Sequence, residues 1–394
     1  MKLGFYRTTT SARALMMLTV DIIGYLCLFP YVIFRRLKGR AFRPESVLRI
    51  AVFRIDGIGD LILSGPALKA LRSAYPKAHI TLFVNEWSNG LTGLLTGPDE
   101  IVELKAPLFK AFKGAIRWRE FLAEIRMLME IGRLKSFDLA VDMRGDFLSI
   151  VTAWWLGAKW LAARSSRGGG FLLTHAIFQA DEGKISEVDL NIDFISLLTC
   201  KIFTREKAKL KPIPDAVRLS MLQKMPPDVD IDYICLAVSA PYESRCYPVD
   251  KWVEVIKLIR KEYDKPILIL GAHGDFKKCE YIAVRTGNKI YNMAGKLSLV
   301  ESAACINGAR LMIGNDGGLI HIASALDRPV IQLFGRENPI CFGHYGEHEH
   351  VIHKDCPLNP CAESKGCLMP EHWCMDRISP DEVFECAKLH LSVG

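Results

Sequence analysis

Three short stretches of this chain place chemically capable side chains directly after apolar runs. The first, FRIDGIGDLILSGPALKAL from Phe53, sets Asp60 behind two glycines, Gly57 and Gly59. A carboxylate just past a strand can take a proton from a substrate hydroxyl. The same residue near a helix start can instead satisfy free N–H groups and the positive end of the dipole. Both readings are open from these residues alone. The glycines invite a nucleotide-binding reading, but the third position of a GxGxxG fingerprint is Ile62, and no GxxxxGK[ST] loop occurs. Their expected part is loop-shaping: they let the chain turn sharply at the strand's end and leave Asp60 near the start of a helix.

The second stretch, MIGNDGGLIHIASALDRPVIQLFG, runs from Met312 to Gly335. Asp316 falls at a strand's end, Gly317 and Gly318 leave backbone N–H groups unobstructed, and a helix bearing His321 follows. Free amides at the positive end of a helix make an anion site. The alternative is that Asp316 caps the helix and His321 is a satisfied core histidine. In the third stretch, SAPYESRCYPVDKW, Arg245 sits between a strand and a helix start marked by Pro248. Its fork suits phosphate oxygens, although a lone arginine on a loop is also an ordinary solvated charge.

Further along, Cys356, Cys361, Cys367 and Cys374 are spaced C-x4-C-x5-C-x6-C beside His353 and His372. Four thiolates could hold a structural zinc, but the paired C-x2-C spacing is absent. Packed thiols and disulfides remain open beside the metal. Of the 12 cysteines, six lie between Cys341 and Cys386 and the remainder are scattered through apolar stretches, where Cys behaves as a small hydrophobe, so a reducing compartment is the expectation.

The elements that must position these residues follow from periodicity. In the first half, SVLRIAVFRI, HITLFV and FDLAVDM read as strands, with PALKALRSAYP and RWREFLAEIRMLMEIGRL as helices between them. In the second half IDYICLAVSA, PILILGA, LMIGND and PVIQLFG read as strands, separated by DKWVEVIKLIRKEY, LSLVESAACINGA and GGLIHIASAL as helices. Strand, helix, strand in alternation predicts parallel sheets covered on both faces. The proline-rich segment 207–230 reads as a linker between a domain over 46–206 and one over 231–394. Two such domains imply a cleft between the carboxyl ends of their sheets, where open parallel sheets bind ligands.

With 394 residues, half of them hydrophobic and 24% charged, the chain is neither disordered nor a polytopic membrane protein. Its net charge of +7 fits anionic partners such as phosphates, sugar phosphates or lipid headgroups. Nucleic acid is not among the expected partners. Residues 1–45 hold the run ALMMLTVDIIGYLCLFPYVIF, Ala14 to Phe34, followed by Arg35, Arg36, Lys38, Arg40 and Arg43. About twenty apolar residues can cross a bilayer. Asp21, Gly24 and Pro30 weigh against a plain span, since a charge at the bilayer centre costs roughly 2.5 kcal/mol or more. A helix or hairpin held in one leaflet, a single span, and a helix buried on the protein itself are the three readings. In either membrane reading the basic flank favours a cytoplasmic body.

Taken jointly, RIDGIGDLILSGPALKALRSAYP, DMRGDFLS, SRCYPVDKW and above all GNDGGLIHIASALDRPVIQLFGRENP resemble the ADP-heptose:lipopolysaccharide heptosyltransferase family, glycosyltransferase family nine. The resemblance covers most of the chain from about Val47 onward. It implies an α/β fold of GT-B architecture, two Rossmann-like parallel-sheet domains facing a cleft, with the apolar N-terminal helix as a membrane-associated addition. The activity implied is inverting, metal-independent transfer of a sugar from a nucleotide donor, most simply heptose from ADP-heptose, to a lipopolysaccharide core or related lipid-linked, anionic saccharide.

Carried over residue by residue, the resemblance makes Asp60 the catalytic base. Asp316, Gly317, Gly318 and His321 bind the donor, and Arg245 stands where such enzymes carry lysine. Asp275 in the loop GAHGDF is the candidate for the donor ribose, and Ser239 and Gly271 complete the donor-binding set. Arg144 in DMRGD is the first choice for the acceptor, while Arg54, Arg72, Arg164 and Arg167 are read mostly as solvated charges. The domain over 46–206 is then the acceptor side, and the one over 231–394 binds the nucleotide sugar and carries the Cys-rich tail. No cofactor is required, and the setting implied is the cytoplasmic face of the bacterial inner membrane, peripheral, monotopic or single-span. A transferase using another nucleotide sugar, or a protein that binds one without catalysis, is the competing reading.

Overall fold

Runs of β-branched and aromatic residues too short for a helix, such as IAVF and ILIL, can satisfy their backbone only by pairing. Helices on both faces then require them to be apolar on both sides. The computed structural model shows this in each half of the chain. It describes residues 11–40, 42–88, 90–105, 118–179, 183–229, 232–335, 337–343, 348–357, 367, 369 and 373–392. The chain divides into two compact units, one of residues 1–92 and 96–207, the other of residues 93–95 and 208–394.

The N-terminal unit holds strands β1 (Arg49–Arg54), β2 (His79–Asn85), β3 (Glu100–Leu104), β4 (Leu139–Asp142), β5 (Trp160–Arg164) and β6 (His175–Ile177). They form one six-stranded sheet in the order β3-β2-β1-β4-β5-β6, parallel throughout. Val52 lies opposite Leu82 on one side and Val141 on the other. Phe53 stacks on Phe83 at 4.6 Å between ring centres, at the middle of the core. The C-terminal unit repeats the plan with β7 (Ile234–Ala237), β8 (Ile267–Leu270), β9 (Ile290–Asn292), β10 (Leu311–Asn315), β11 (Val330–Phe334) and β12 (Glu349–His353). Their order is β12-β11-β10-β7-β8-β9, again parallel. Ile313 faces Leu236 and Ile331 across the sheet.

In both units the chain runs outward from a central strand and then returns to build the other half. The direction of construction reverses between β1 and β4, and again between β7 and β10. At such a reversal the connections after the two strands leave in opposite directions, which opens a crevice at their carboxyl ends. Helix starts beside these crevices are well marked. Asp146 accepts from the Ser149 N–H to cap the helix Phe147–Trp155, and Ser298 with Glu301 forms a capping box for Leu299–Gly308.

Three details differ from the sequence reading. The apolar run is two helices, Ser11–Cys27 and Phe29–Arg40, bent by 88° at Leu28, and neither is long and apolar enough alone to cross a membrane. Pro30 explains the break, because it suits the first turn of a new helix and not the interior of a continuous one. The segment 207–230 carries the helix Asp215–Leu222, which packs on Leu299–Gly308 and sends the Ser220 hydroxyl to Glu301 at 2.7 Å. Finally, β3, β5, β6, β9 and β12 were not read from the sequence. Four of them are short or carry charged and partly exposed residues, which breaks the apolar pattern of a doubly covered strand.

Close packing makes one glycine a sensitive site. A methyl group at Gly132, in the helix Trp118–Lys135, would stand 1.9 Å from the Leu156 carbonyl oxygen. Overpacking costs about 1–3 kcal/mol, and a backbone neighbour yields least, so Gly132→Ala should fall at the upper end. Urea unfolding should show a lower midpoint with an unchanged slope.

Candidate active site

The crevice of the N-terminal unit is organised by a buried arginine. Arg54 ends β1 with 1% of its side chain exposed. Its guanidinium donates to the Met143 carbonyl at 3.0 Å and to the Asp60 carbonyl at 3.1 Å. It also faces the carboxylates of Asp56 at 3.3 Å and of Asp60 and Glu187 at 3.6 Å. Arg164, at the end of β5, donates to the same Met143 carbonyl at 2.7 Å, to Glu187 at 2.9 Å and to Asn191 at 2.6 Å. The reading of Arg54 and Arg164 as solvated charges is therefore corrected. Both stand at strand ends, where the sheet buries them among carboxylates and carbonyls that alone make such burial tolerable. Arg72 is likewise structural, holding the carbonyls of Gly97 and Ala78 together with Asp99.

Asp60 is the third residue of the helix Ile58–Leu63. Its Oδ2 accepts from the Gly57 N–H at 3.2 Å, while Oδ1 faces Arg54 and 33% of the side chain remains exposed. Capping and presentation thus coincide: the bond back to Gly57 orients the carboxylate, and the exposed part stays open to a hydroxyl. The glycines shape the loop by a different means from the one expected. Gly57 has φ −73°, open to any residue, and Gly59 lies within the helix. A Cβ at position 57 would come within 2.8 Å of Asp60 Oδ2, so a larger residue there would displace the carboxylate from its present seat.

Electrostatics separates the carboxyls. Burial pushes Asp56 up to about 7, with Asp60 adding to the push and Arg54 resisting it. Asp142, the last residue of β4, is pushed by burial up to about 6 although the Ser149 hydroxyl and the Gly145 and Arg144 amides donate to it. Burial also works against an ionised Glu187, but Arg164 and Arg54 outweigh it and hold that carboxyl below its usual range. Arg144 is tied by its guanidinium to Asp146. Burial disfavours its charge, yet Asp146 and Asp56 more than compensate and raise its pKa.

In the C-terminal unit the corresponding crevice lies between β7 and β10. Asn315 spans it, donating to the Val238 carbonyl at 2.8 Å and accepting from the Tyr247 N–H at 3.0 Å. Asp316 is buried and does not cap the following helix, Gly318–Ala325, whose N-cap Gly317 makes no side-chain cap bond. Instead Asp316 accepts from Gln332 at 3.1 Å, meets Arg245 at 3.4 Å and lies 3.6 Å from His321 Nε2. His321 is buried behind Asp316. The uncapped helix start, with Gly317, Gly318 and Leu319 partly exposed, keeps its N–H groups available to an anion.

Arg245 is not a solvated charge. It is 80% covered, donates to Asp316, is held by Glu337 and lies over the Tyr242 ring at 5.2 Å. Glu337 was missed by the sequence reading; its only signal was its place just after β11. Ser239 follows β7, and its hydroxyl oxygen is buried without a hydrogen-bond partner among the described residues. Asp275, beyond the end of β8, accepts from the Ala272 N–H at 2.8 Å, and Gly271 makes room for it. No described hydrogen bond joins Asp275 to the Arg245 group.

Cys356 and Cys374 are buried in the C-terminal core, and Cys367 is partly exposed. Cys361 and His372 lie outside the described residues. Among the described residues no group of three or more His, Cys, Asp or Glu side chains is placed to hold a metal ion.

Two Rossmann-like units, one presenting a carboxylate beside buried arginines and the other an arginine beside free helix amides, define a group-transfer enzyme of the two-domain α/β class. The chain belongs to glycosyltransferase family 9, the heptosyltransferases, whose family model matches residues 131–371. It is 24% identical over 310 residues to lipopolysaccharide heptosyltransferase 1 of Campylobacter coli, covering 73% of this chain and 84% of the relative. Its fold is similar to that of Escherichia coli ADP-heptose lipopolysaccharide heptosyltransferase II, with a TM-score of 0.71 at 18% identity over 88% of this chain and 99% of that one. Escherichia coli heptosyltransferase WaaC with ADP-2-deoxy-2-fluoro heptose gives 0.64 at 16% identity over 87% and 99%.

The Asp56 carboxyl supplies a pH test. Its folded pKa of about 7 exceeds the value of about 3.9 in an unfolded chain. Its stabilising contribution is therefore complete below about pH 4 and lost as the pH rises through about 7. Asp56→Asn should remove this loss, so its melting temperature should gain on that of the parent between pH 4 and 8. A difference constant across that range would mean that Asp56 stays ionised throughout.

Proposed function

We propose that this chain transfers heptose from ADP-heptose to an anionic, lipid-linked saccharide of the lipopolysaccharide core type, with inversion at the anomeric carbon. The observation that carries the reading is the Asp60 carboxylate, oriented by Gly57, faced by Arg54 and still partly exposed at the reversal point of its sheet. Family membership and the ADP-heptose analogue held by the WaaC neighbour support the donor. The lipopolysaccharide enzymes among the relatives support the acceptor class.

In the transfer step the acceptor oxygen forms a bond to the anomeric carbon while the bond to the diphosphate breaks. Asp60 receives the hydroxyl proton, and the electron pair of the breaking bond leaves on ADP. A positioned base is worth about 10²- to 10⁴-fold. Arg245 and the open N–H groups of Gly317 and Gly318 stabilise the charge that develops on the departing diphosphate. Asp316 and Glu337 keep the Arg245 fork in place, and His321 backs Asp316. Ser239 offers its unpartnered hydroxyl to the donor, with Asp275 and Gly271 serving its ribose side. Arg144, clamped by Asp146, meets the anionic acceptor. A single displacement opposite the leaving group inverts the anomeric centre. The reaction belongs at the cytoplasmic face of the bacterial inner membrane, a setting supported by the basic run after the apolar helices.

Asp60→Asn should lower kcat by about 10²- to 10⁴-fold while leaving the ADP dissociation constant within about twofold. Normal turnover by that variant would refute the base. Arg245→Ala should weaken ADP binding by about tenfold or more, the worth of a charge-assisted hydrogen bond, and Arg245→Lys should recover part of it. Calorimetric titration with ADP reads both, and unchanged affinity in the alanine variant would remove Arg245 from the donor site.

A further inference from the structure

The two N-terminal helices have one side committed to the protein and one side committed to nothing among the described residues. On the inward side Asp21 accepts from the Gly169 N–H at 2.7 Å, and Arg35 donates to the Leu172 carbonyl at 3.1 Å. Trp154 donates to the Tyr31 hydroxyl, and Tyr25 meets Phe171 edge-on with ring centres 6.0 Å apart. A Cβ on Gly24 would fall 2.5 Å from the Phe171 ring, so the helix seats against it as closely as a backbone can. On the outward side Leu15, Ile22, Ile23, Leu26, Phe29 and Ile33 are between 43 and 72% exposed. An apolar face of this extent marks an interaction site on a soluble body.

The geometry points to the surface of an anionic phospholipid bilayer as the occupant of that face, with the bent pair lying in one leaflet. Among the described residues neither helix is long enough for a straight crossing. Helices of 17 and 12 residues span about 26 and 18 Å, against about 30 Å of hydrocarbon, and the axes turn by 88° between them. Asp21, the charge that weighs against membrane insertion, is turned to the protein and hydrogen-bonded there, so the outward face carries no carboxylate into the lipid. Arg36, Lys38, Arg40 and Arg43 follow the apolar run in sequence and complement anionic headgroups.

The attachment point adds a consequence for the reaction. Gly169 closes the loop that begins after Arg164 at the carboxyl end of β5, and Arg167 in that loop pairs as an isolated bridge with Asp146. The lipid-bound element is thereby tied by one hydrogen bond to the loop beside the acceptor-side crevice. A glycan that stays on its lipid is then met where the protein itself is held. This step rests on the proposed acceptor, whereas the bilayer assignment does not.

Flotation of the full chain with vesicles separates the outcomes without any transfer assay. Vesicles of phosphatidylethanolamine with phosphatidylglycerol should carry the protein upward, with affinity at least about tenfold above phosphatidylcholine alone. The triple variant Ile22→Glu, Leu26→Glu and Phe29→Glu should lose at least about tenfold of that affinity. All three side chains are exposed, so its melting temperature and ADP affinity should match the parent. Parent protein that stays at the bottom with both vesicle types overturns the proposal, as does a triple variant that floats like the parent. Equal binding to phosphatidylcholine removes the anionic part. A parent that runs as a dimer, a monomeric triple variant and flotation by neither would assign the face to a second copy of this chain.

Discussion

A full positive charge with almost no access to water is the constraint around which the N-terminal half is arranged. Arg54 stays charged only because carbonyl oxygens of Met143 and Asp60 accept its protons and three carboxylates surround it. The carboxylates in turn are placed by strand ends and helix starts, so the loops after β1 and β4 cannot move independently of the guanidinium. Burial disfavours the charge, and the neighbours more than restore it. The result is a crevice whose field is set before any ligand arrives. That preorganisation is what electrostatic catalysis requires.

The second unit reaches a similar end with the signs exchanged. Its two carboxylates, Asp316 and Glu337, position one partly covered arginine. The surplus positive character comes from backbone, from the uncapped start of the helix Gly318–Ala325. One strand order has thus been given two chemistries by the residues at the same structural place. Asp142 ends β4 as an acceptor for backbone amides, while Asn315 ends β10 as both donor and acceptor across the reversal point.

Much of this was legible because it is local. The alternation of strands and helices, and the contiguous run GNDGG with His321 three residues on, sit within single elements whose spacing survives in the sequence. Asp60 was legible as a candidate for the same reason, though the part played by Gly57 was misjudged, because a close approach to a side chain leaves no mark in composition. What could not be read depends on distant partners. Glu337 meets Arg245 across 92 residues of chain, and the burial of Arg54 and Arg164 follows from Glu187 and Asn191 on a later helix. A lone arginine at a strand end carries no sign of whether the sheet will cover it. The helix Asp215–Leu222 within the proline-rich segment was hidden for a related cause, since it packs on a helix some eighty residues further along the chain.

The seat of the two N-terminal helices also bears on how this protein can be handled. Trimming the first forty or so residues to gain solubility would remove an apolar outward face. It would at the same time strip the cover from Phe171 and Trp154 and leave the Gly169 N–H without its carboxylate. Truncation would trade one sticky surface for another, with a loosened loop beside the crevice that holds Arg54 and Asp60. Repainting the outward face with polar side chains while keeping Asp21, Gly24, Tyr31 and Arg35 is the route that leaves the domain beneath intact.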